Sequence, residues 1–154
     1  MKKIIETQRA PGAIGPYVQG VDLGSMVFTS GQIPVCPQTG EIPADVQDQA
    51  RLSLENVKAI VVAAGLSVGD IIKMTVFITD LNDFATINEV YKQFFDEHQA
   101  TYPTRSCVQV ARLPKDVKLE IEATAVRSAS GLVSGTVARS FRSTSLNGNP
   151  RVWI

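Results

Sequence analysis

Cysteine, histidine and aromatic residues are scarce in this chain, and its apolar runs are short. Cys36 and Cys107 are the only cysteines. Two thiols do not make a disulfide framework, and free thiols in a reducing compartment are the simpler expectation. His98 is the sole histidine, so a histidine-rich metal site is not available. No apolar stretch approaches the ~18–20 residues that span a bilayer. The opening Met1-Lys2-Lys3 runs into Ile4-Ile5-Glu6-Thr7-Gln8, too short and polar for a signal peptide. An excess of either charge is also missing, with 15 basic and 15 acidic residues. That balance gives no electrostatic case for nucleic acid as a partner. The expectation is a soluble cytoplasmic protein with neither a membrane nor a nucleic-acid partner.

What is present suits one domain with a real core: 154 residues, 44% of them hydrophobic. The charge is unevenly spread. Arg139, Arg142 and Arg151 lie in a last stretch without acids, which leaves residues 1–127 with 12 bases against 15 acids, a net of −3. Residues 128–154 are also distinct in pattern. Ser128-Ala129-Ser130-Gly131 and Ser143-Thr144-Ser145-Leu146-Asn147-Gly148 are small and polar and lack periodicity. We read residues 1–127 as the domain and 128–154 as a tail, either a functional arm or a vector-encoded or disordered extension, with the extension favoured.

Lys2–Glu6 is β-compatible, and Pro11 to Pro16 is a loop. Strands are expected at Tyr17–Val21 and Met26–Ser30, with Asp22-Leu23-Gly24-Ser25 as their hairpin connection. Val46, Ala50, Leu54, Val57 and Val61 recur at helical spacing, which predicts a helix over Asp45–Ala64 with Asp45 as N-cap and Gly65 as stop. Ile71–Thr79 reads as a strand apolar on both faces. Asp83 opens a second helix with Phe84, Ile87, Val90, Tyr91, Phe94 and Phe95 on its apolar side. Thr104–Val110 and Val117–Val126 complete the set. The order β-β-β-α-β-α-β-β, with strands in hairpins, predicts an α+β fold: a mostly antiparallel sheet carrying two helices on one face. The second apolar sheet face is expected to meet another subunit.

Strand 104–110 places Arg105, Cys107 and Gln109 on one face, and Ser106, Val108 and Val110 on the other. An arginine within an apolar strand needs a partner. An internal carboxylate, open solvent or a ligand anion all satisfy it, and the guanidinium fork matches a carboxylate with two parallel hydrogen bonds. In the last strand Val117, Leu119, Ile121 and Ala123 form the apolar row, and Lys118, Glu120, Glu122 and Thr124 the polar one. Glu120 or Glu122 could deprotonate a water, or both could face solvent, and alternation does not separate the two. Cys107 lacks a convincing base, because His98 falls near a helix end where capping is commoner. Gly31 either permits a turn or exposes an amide donor. Asp80-Leu81-Asn82-Asp83 is a helix entry and not a calcium loop. No glycine-rich phosphate motif is present.

Several stretches together resemble the reactive intermediate deaminase family (Rid, or YjgF). They are Ala13-Ile14-Gly15-Pro16-Tyr17, Thr29-Ser30-Gly31-Gln32-Ile33-Pro34, the segment Gln49–Gly65, and Thr75 through Phe84. Tyr102-Pro103-Thr104-Arg105-Ser106-Cys107 and Ala111-Arg112-Leu113-Pro114 through Ala123 complete the series, which covers residues 2–127 without gaps. The resemblance implies a chorismate-mutase-like α+β fold and a homotrimer with a ligand cleft between neighbouring subunits. It implies hydrolysis of enamine-derived 2-imino acids to 2-oxo acids and ammonia with no metal or organic cofactor. In that scheme Arg105 holds the carboxylate and Glu120 acts on water. Gly31, Ser106 and Cys107 line the cleft, and Tyr17, Ser30 and Asn88 lie close to it. Thr124 departs from the pattern, standing where a bulkier aliphatic residue is expected, and the tail has no counterpart. Two rival readings share these residues: a non-catalytic sensor of 2-oxobutanoate or an amino acid, and an RNA-directed role, against which the −3 balance of residues 1–127 argues. A chaperone-like role would be insensitive to Arg105.

Overall fold

In the computed structural model, residues 2–128 are described. The tail expectation for 129–154 lies outside them. Six strands form one sheet: β1 (Lys3–Ile5), β2 (Gly20–Asp22), β3 (Met26–Thr29), β4 (Ile71–Ile78), β5 (Thr104–Gln109) and β6 (Leu119–Val126). Two α-helices accompany them, α1 (Val46–Ala63) and α2 (Phe84–Glu97). The strand order is β1-β2-β3-β6-β4-β5. Every pairing is antiparallel except β4 with β5, which is parallel. The fold is therefore α+β with a mixed sheet. The expectation that successive strands pair as hairpins fails for the last two: β4 lies between β5 and β6. The physical reason is the connection. β4-α2-β5 is a strand-helix-strand crossover, and a helical crossover returns the chain parallel.

Both helices cover one sheet face. Leu54, Val57, Ile60 and Val61 of α1 and Ile87, Val90, Phe94 and Phe95 of α2 pack with Met74, Val76 and Ile78 of β4 and Leu119, Ile121 and Ala123 of β6. All of these are buried, so β6 presents the expected apolar row to the helices. Gly65 ends α1 as predicted. With φ +82 it takes the left-handed conformation, Gly65 N–H donates to Val62 O (2.9 Å) and Leu66 N–H to Val61 O (3.1 Å). This pairing satisfies the last carbonyls of the helix while Leu66 joins the core. Asp45 holds the N-cap position but makes no side-chain cap bond.

Two strand expectations need correction. The second strand begins at Gly20, not Tyr17, because Pro16 is the centre of a tight turn in which Tyr17 N–H donates to Gly15 O. In β4 strict alternation fails at its start. A register shift between Ile71 and Lys73 buries Ile71 on the same side as Met74 and leaves Ile72 exposed. The hairpin at Asp22–Ser25 is present: Gly24 has φ +91 and its N–H donates to Asp22 Oδ1.

Arg127 closes the domain. Its guanidinium donates to Gly24 O (2.9 Å), Asp22 Oδ2 (2.8 Å) and Ala64 O (2.9 Å), so it joins the hairpin to the carbonyl end of α1. The arginine side chain is 38% exposed, which weakens the ion pair but not the carbonyl bonds. Arg127→Ala is expected to lower stability by about 1–2 kcal/mol. Urea unfolding checks this: the midpoint falls and the slope stays constant.

Candidate functional site

β5 is an edge strand, and Arg105 stands on it opposite Met74 of β4. Cross-strand partners share a face, so Arg105 points to the helix side. There it reaches α2. Its Nη1 donates to Asn88 Oδ1 (2.6 Å), and its guanidinium lies over the rings of Tyr91 (4.8 Å) and Phe84 (5.5 Å). Phe84, Asn88 and Tyr91 are spaced by four and three residues and so form one helix face. Of these only Asn88 emerges from sequence, and only through the family resemblance; the spacing was the signal for the two aromatics. No carboxylate pairs with Arg105 among the described residues. A partly buried cation held by neutral groups keeps its charge uncompensated.

Cys107 shares this face and packs against the core. Burial raises its thiol above the usual range, and Arg105 lowers it by a smaller amount. A neutral thiol is a poor nucleophile. His98 is committed elsewhere, with Nδ1 against Phe94 O (2.6 Å) at the end of α2, which is the expected capping role. Gln109 also serves structure, its Oε1 accepting from Leu81 N–H. Asp80 Oδ1 accepts from Asn82 N–H at the entry to α2, as expected of that sequence. Ser106 is exposed on the opposite face from Arg105.

Glu120 lies on that opposite face too. It pairs across to Phe77 of β4, three residues from Met74 and so of the other parity. Phe28, Val108, Glu122 and Thr124 share the face, since Phe28 sits opposite Thr124 and Val108 opposite Phe77. Thr124 is half-buried there, so its departure from the family pattern falls on this open face and not in the helix-side core. Burial first, and the like charge of Glu122 second, push the Glu120 carboxyl above the usual carboxylate range. Glu120 is thus a more basic carboxylate than an ordinary glutamate, which fits it to accept a proton.

Gly31 is the close neighbour of Glu120. Phe28 pairs with Thr124, but Gln32 bridges to Ile121, so the register slips by one residue around Ser30 and Gly31. A side chain at Gly31 would meet the Glu120 carboxylate: a Cβ there lies 2.8 Å from its Cδ and overlaps Oε1. Glycine is required for room, not for a left-handed turn. Ser30 donates its hydroxyl to Val18 O (2.6 Å), and Tyr17 accepts from Ile14 N–H at its phenol oxygen (3.2 Å). A cavity of about 290 Å³ joins Tyr17, Ser30, Gly31 and Glu120 to Ile14, Ile33 and Pro114, which composition and pattern did not single out. A larger hollow of about 570 Å³ lies on the outer side of α1, beside Arg9, Gln38 and Lys58. The amide of Asn56 in its wall is spent on Ile33 O and Val35 O, so we place no chemistry there.

The eight candidate residues thus fall into two groups within a chain. Arg105, Asn88 and Cys107 lie on the helix side of β5; Glu120, Gly31, Tyr17 and Ser30 lie on or beside the open sheet face, with Ser106 exposed on that face. Among the described residues no group of three or more histidine, cysteine or acidic side chains could hold a metal ion, and no helix is long and apolar enough to cross a membrane. Gly31→Ala is expected to displace Glu120 and cut turnover roughly 10–100-fold. Comparing kcat of the variant with wild type checks it.

The chain is similar to several known proteins. Residues 7–127 match the family model described as endoribonuclease L-PSP. TdcF of Escherichia coli (strain K12), named among the reactive intermediate deaminases, is 99% identical over 129 residues, which is 84% of this chain and 100% of that protein. The 2-iminobutanoate/2-iminopropanoate deaminase of the same organism is 73% identical over 127 residues, 82% of this chain and 99% of that protein. The crystal structure of E. coli TdcF with bound serine superposes with a TM-score of 0.81, covering 82% of this chain and 99% of that one. The chain belongs to the endoribonuclease L-PSP family, which carries the names YjgF and Rid as well.

Proposed function

We propose that this chain is a hydrolytic deaminase that converts reactive 2-imino acids, 2-iminobutanoate first among them, to 2-oxo acids and ammonia. The observation that carries the reading is the state of Arg105. A partly buried guanidinium, oriented by an amide oxygen and two ring faces and matched by no carboxylate among the described residues, suits a small organic anion. Arg105 binds the substrate carboxylate in both oxygens and so places the imine carbon. Glu120, made more basic by burial, orients a water and takes its proton as the water oxygen bonds to that carbon. Backbone amides near Gly31 and Cys107 stabilise the negative charge that develops on the carbinolamine oxygen as its hydroxyl gives up its proton. Glu120 then passes its proton to the carbinolamine nitrogen, the hydroxyl proton returns to the carboxylate as the C=O bond forms, the C–N bond breaks and ammonia leaves. A protonated imine is already electrophilic, so the scheme calls on no cofactor.

Within a chain Arg105 and Glu120 face opposite sides of the sheet, so the scheme requires two copies. We assign the open face to that contact and the assembly to a homotrimer with three shared clefts. Phe28 (40% exposed) and Val108 (44%) on that face support a covered surface.

Coupling the chain to a threonine dehydratase tests the activity. Release of 2-oxobutanoate should exceed the rate of uncatalysed imine hydrolysis, and an unchanged rate refutes it. Binding of serine, as in the TdcF crystal structure, fits the same carboxylate grip and leaves the sensor reading without a separate observation in its favour. The family's endoribonuclease description finds no support in the charge balance, since residues 1–127 carry 12 bases against 15 acids.

A further inference from the structure

The mechanism uses Arg105 as if its direction were given. A free arginine side chain samples many rotamers, and fixing them costs affinity each time a ligand binds. Something must hold this guanidinium beforehand. A carboxylate would do so at the expense of its charge, leaving less for the ligand. The chain uses two aromatic faces and one amide instead.

We propose that Phe84 and Tyr91 are positioning residues for the reaction, an aromatic cradle that aims Arg105 at the ligand carboxylate without neutralising it. The inference rests on the reading that Arg105 takes that carboxylate. Tyr91 is the nearer wall, at 4.8 Å, and Phe84 the farther, at 5.5 Å. Both distances lie within reach of a cation–aromatic attraction, which strengthens as the pair loses water. Tyr91 is 6% exposed and its ring is fixed against Phe95, with centroids 4.8 Å apart. Asn88, between the two on the same helix face, supplies the third contact through Oδ1 and sets the rotation of the fork.

The hydroxyl of Tyr91 narrows the role to the ring. Its Oη is buried and has no hydrogen-bond partner among the described residues. An orphan hydroxyl stabilises nothing and costs free energy to bury. Burial also holds the phenol neutral, its pKa pushed up to about 12. The group therefore offers Arg105 a π face and no counter-charge at working pH. Replacing a residue that only filled the core by leucine would cost stability and leave ligand affinity alone; replacing a cradle residue would cost affinity as well.

The test compares Tyr91→Phe, Tyr91→Leu and Phe84→Leu in the full chain. Calorimetry measures 2-oxobutanoate binding, and the coupled assay measures KM and kcat. Tyr91→Phe should match wild type within about twofold in every readout. Tyr91→Leu should weaken binding and raise KM about tenfold, equivalent to about 1.4 kcal/mol, while kcat falls less than about threefold. Phe84→Leu, at the less buried wall, should show the same split at about half that size on a logarithmic scale, and decides the matter if Tyr91→Leu fails to fold. Equal losses in Tyr91→Phe and Tyr91→Leu, or none in either leucine variant, overturn the cradle. Wild type that fails to bind 2-oxobutanoate overturns the Arg105 reading itself, and the cradle with it.

Discussion

Replacing Arg105 by alanine is expected to cut kcat/KM for 2-iminobutanoate by roughly 10³-fold while the protein stays folded. The magnitude follows from what is lost. Two charge-assisted hydrogen bonds to a desolvated carboxylate are worth about 3–5 kcal/mol together, and each 1.4 kcal/mol is tenfold. Folding should survive because no internal acid is orphaned: the partners left behind are the Asn88 oxygen and two apolar rings. Arg105→Lys separates charge from shape. Lysine restores the positive charge but not the planar fork, so an intermediate loss is expected. Affinity and kcat/KM should fall together while kcat changes less, since the carboxylate is gripped in the ground state as well as the transition state. A fall in kcat with unchanged affinity would assign Arg105 a different task.

Glu120→Gln is expected to have the converse signature: turnover falls by roughly 10³-fold, ligand binding is nearly kept and thermal stability rises. The carboxyl is held above its ordinary range, chiefly by burial and then by the charge of Glu122. A raised carboxyl favours the protonated folded form, so stability is greatest below the unfolded value and is lost as pH rises through the folded one. At neutral pH the ionised Glu120 therefore burdens the fold, and the neutral amide removes that burden. The same shift sets the pH profile. Activity needs the carboxylate, so it should decline on acidification at a higher pH than an ordinary glutamate would allow. Glu122→Gln removes the second cause and should move that acid limb to lower pH. Stability that falls in Glu120→Gln would mean the carboxylate serves the fold.

Much of this arrangement was legible before any coordinates. Alternation in β6 set Leu119, Ile121 and Ala123 apart from Glu120 and Glu122, because a sheet with one covered face enforces a period of two. Gly65 announced the end of α1, because only glycine takes the left-handed turn cheaply. Face parity put Arg105 and Cys107 together. What stayed hidden depends on contacts remote in sequence. That β4 would separate β5 from β6 is not written in either strand. The bulge that turns Ile72 outward has no local signature. Gly31 could be read as turn or donor, and only the slip between Thr124 opposite Phe28 and Ile121 opposite Gln32 shows that it makes room for Glu120. Phe84 and Tyr91 looked like core, since a ring that packs and a ring that holds a cation have the same helical spacing.

The division of Arg105 and Glu120 between two sheet faces is the point on which the account turns. Co-expressing the Arg105→Ala and Glu120→Gln chains in equal amounts tests it directly. Each shared cleft takes one half-site from each of two copies, so random assembly pairs an intact Arg105 with an intact Glu120 in about a quarter of the clefts. Turnover should recover to about that fraction of wild type, far above either variant alone. Activity no greater than the mean of the two inactive proteins would mean that each chain works with its own pair, and the shared cleft would be wrong.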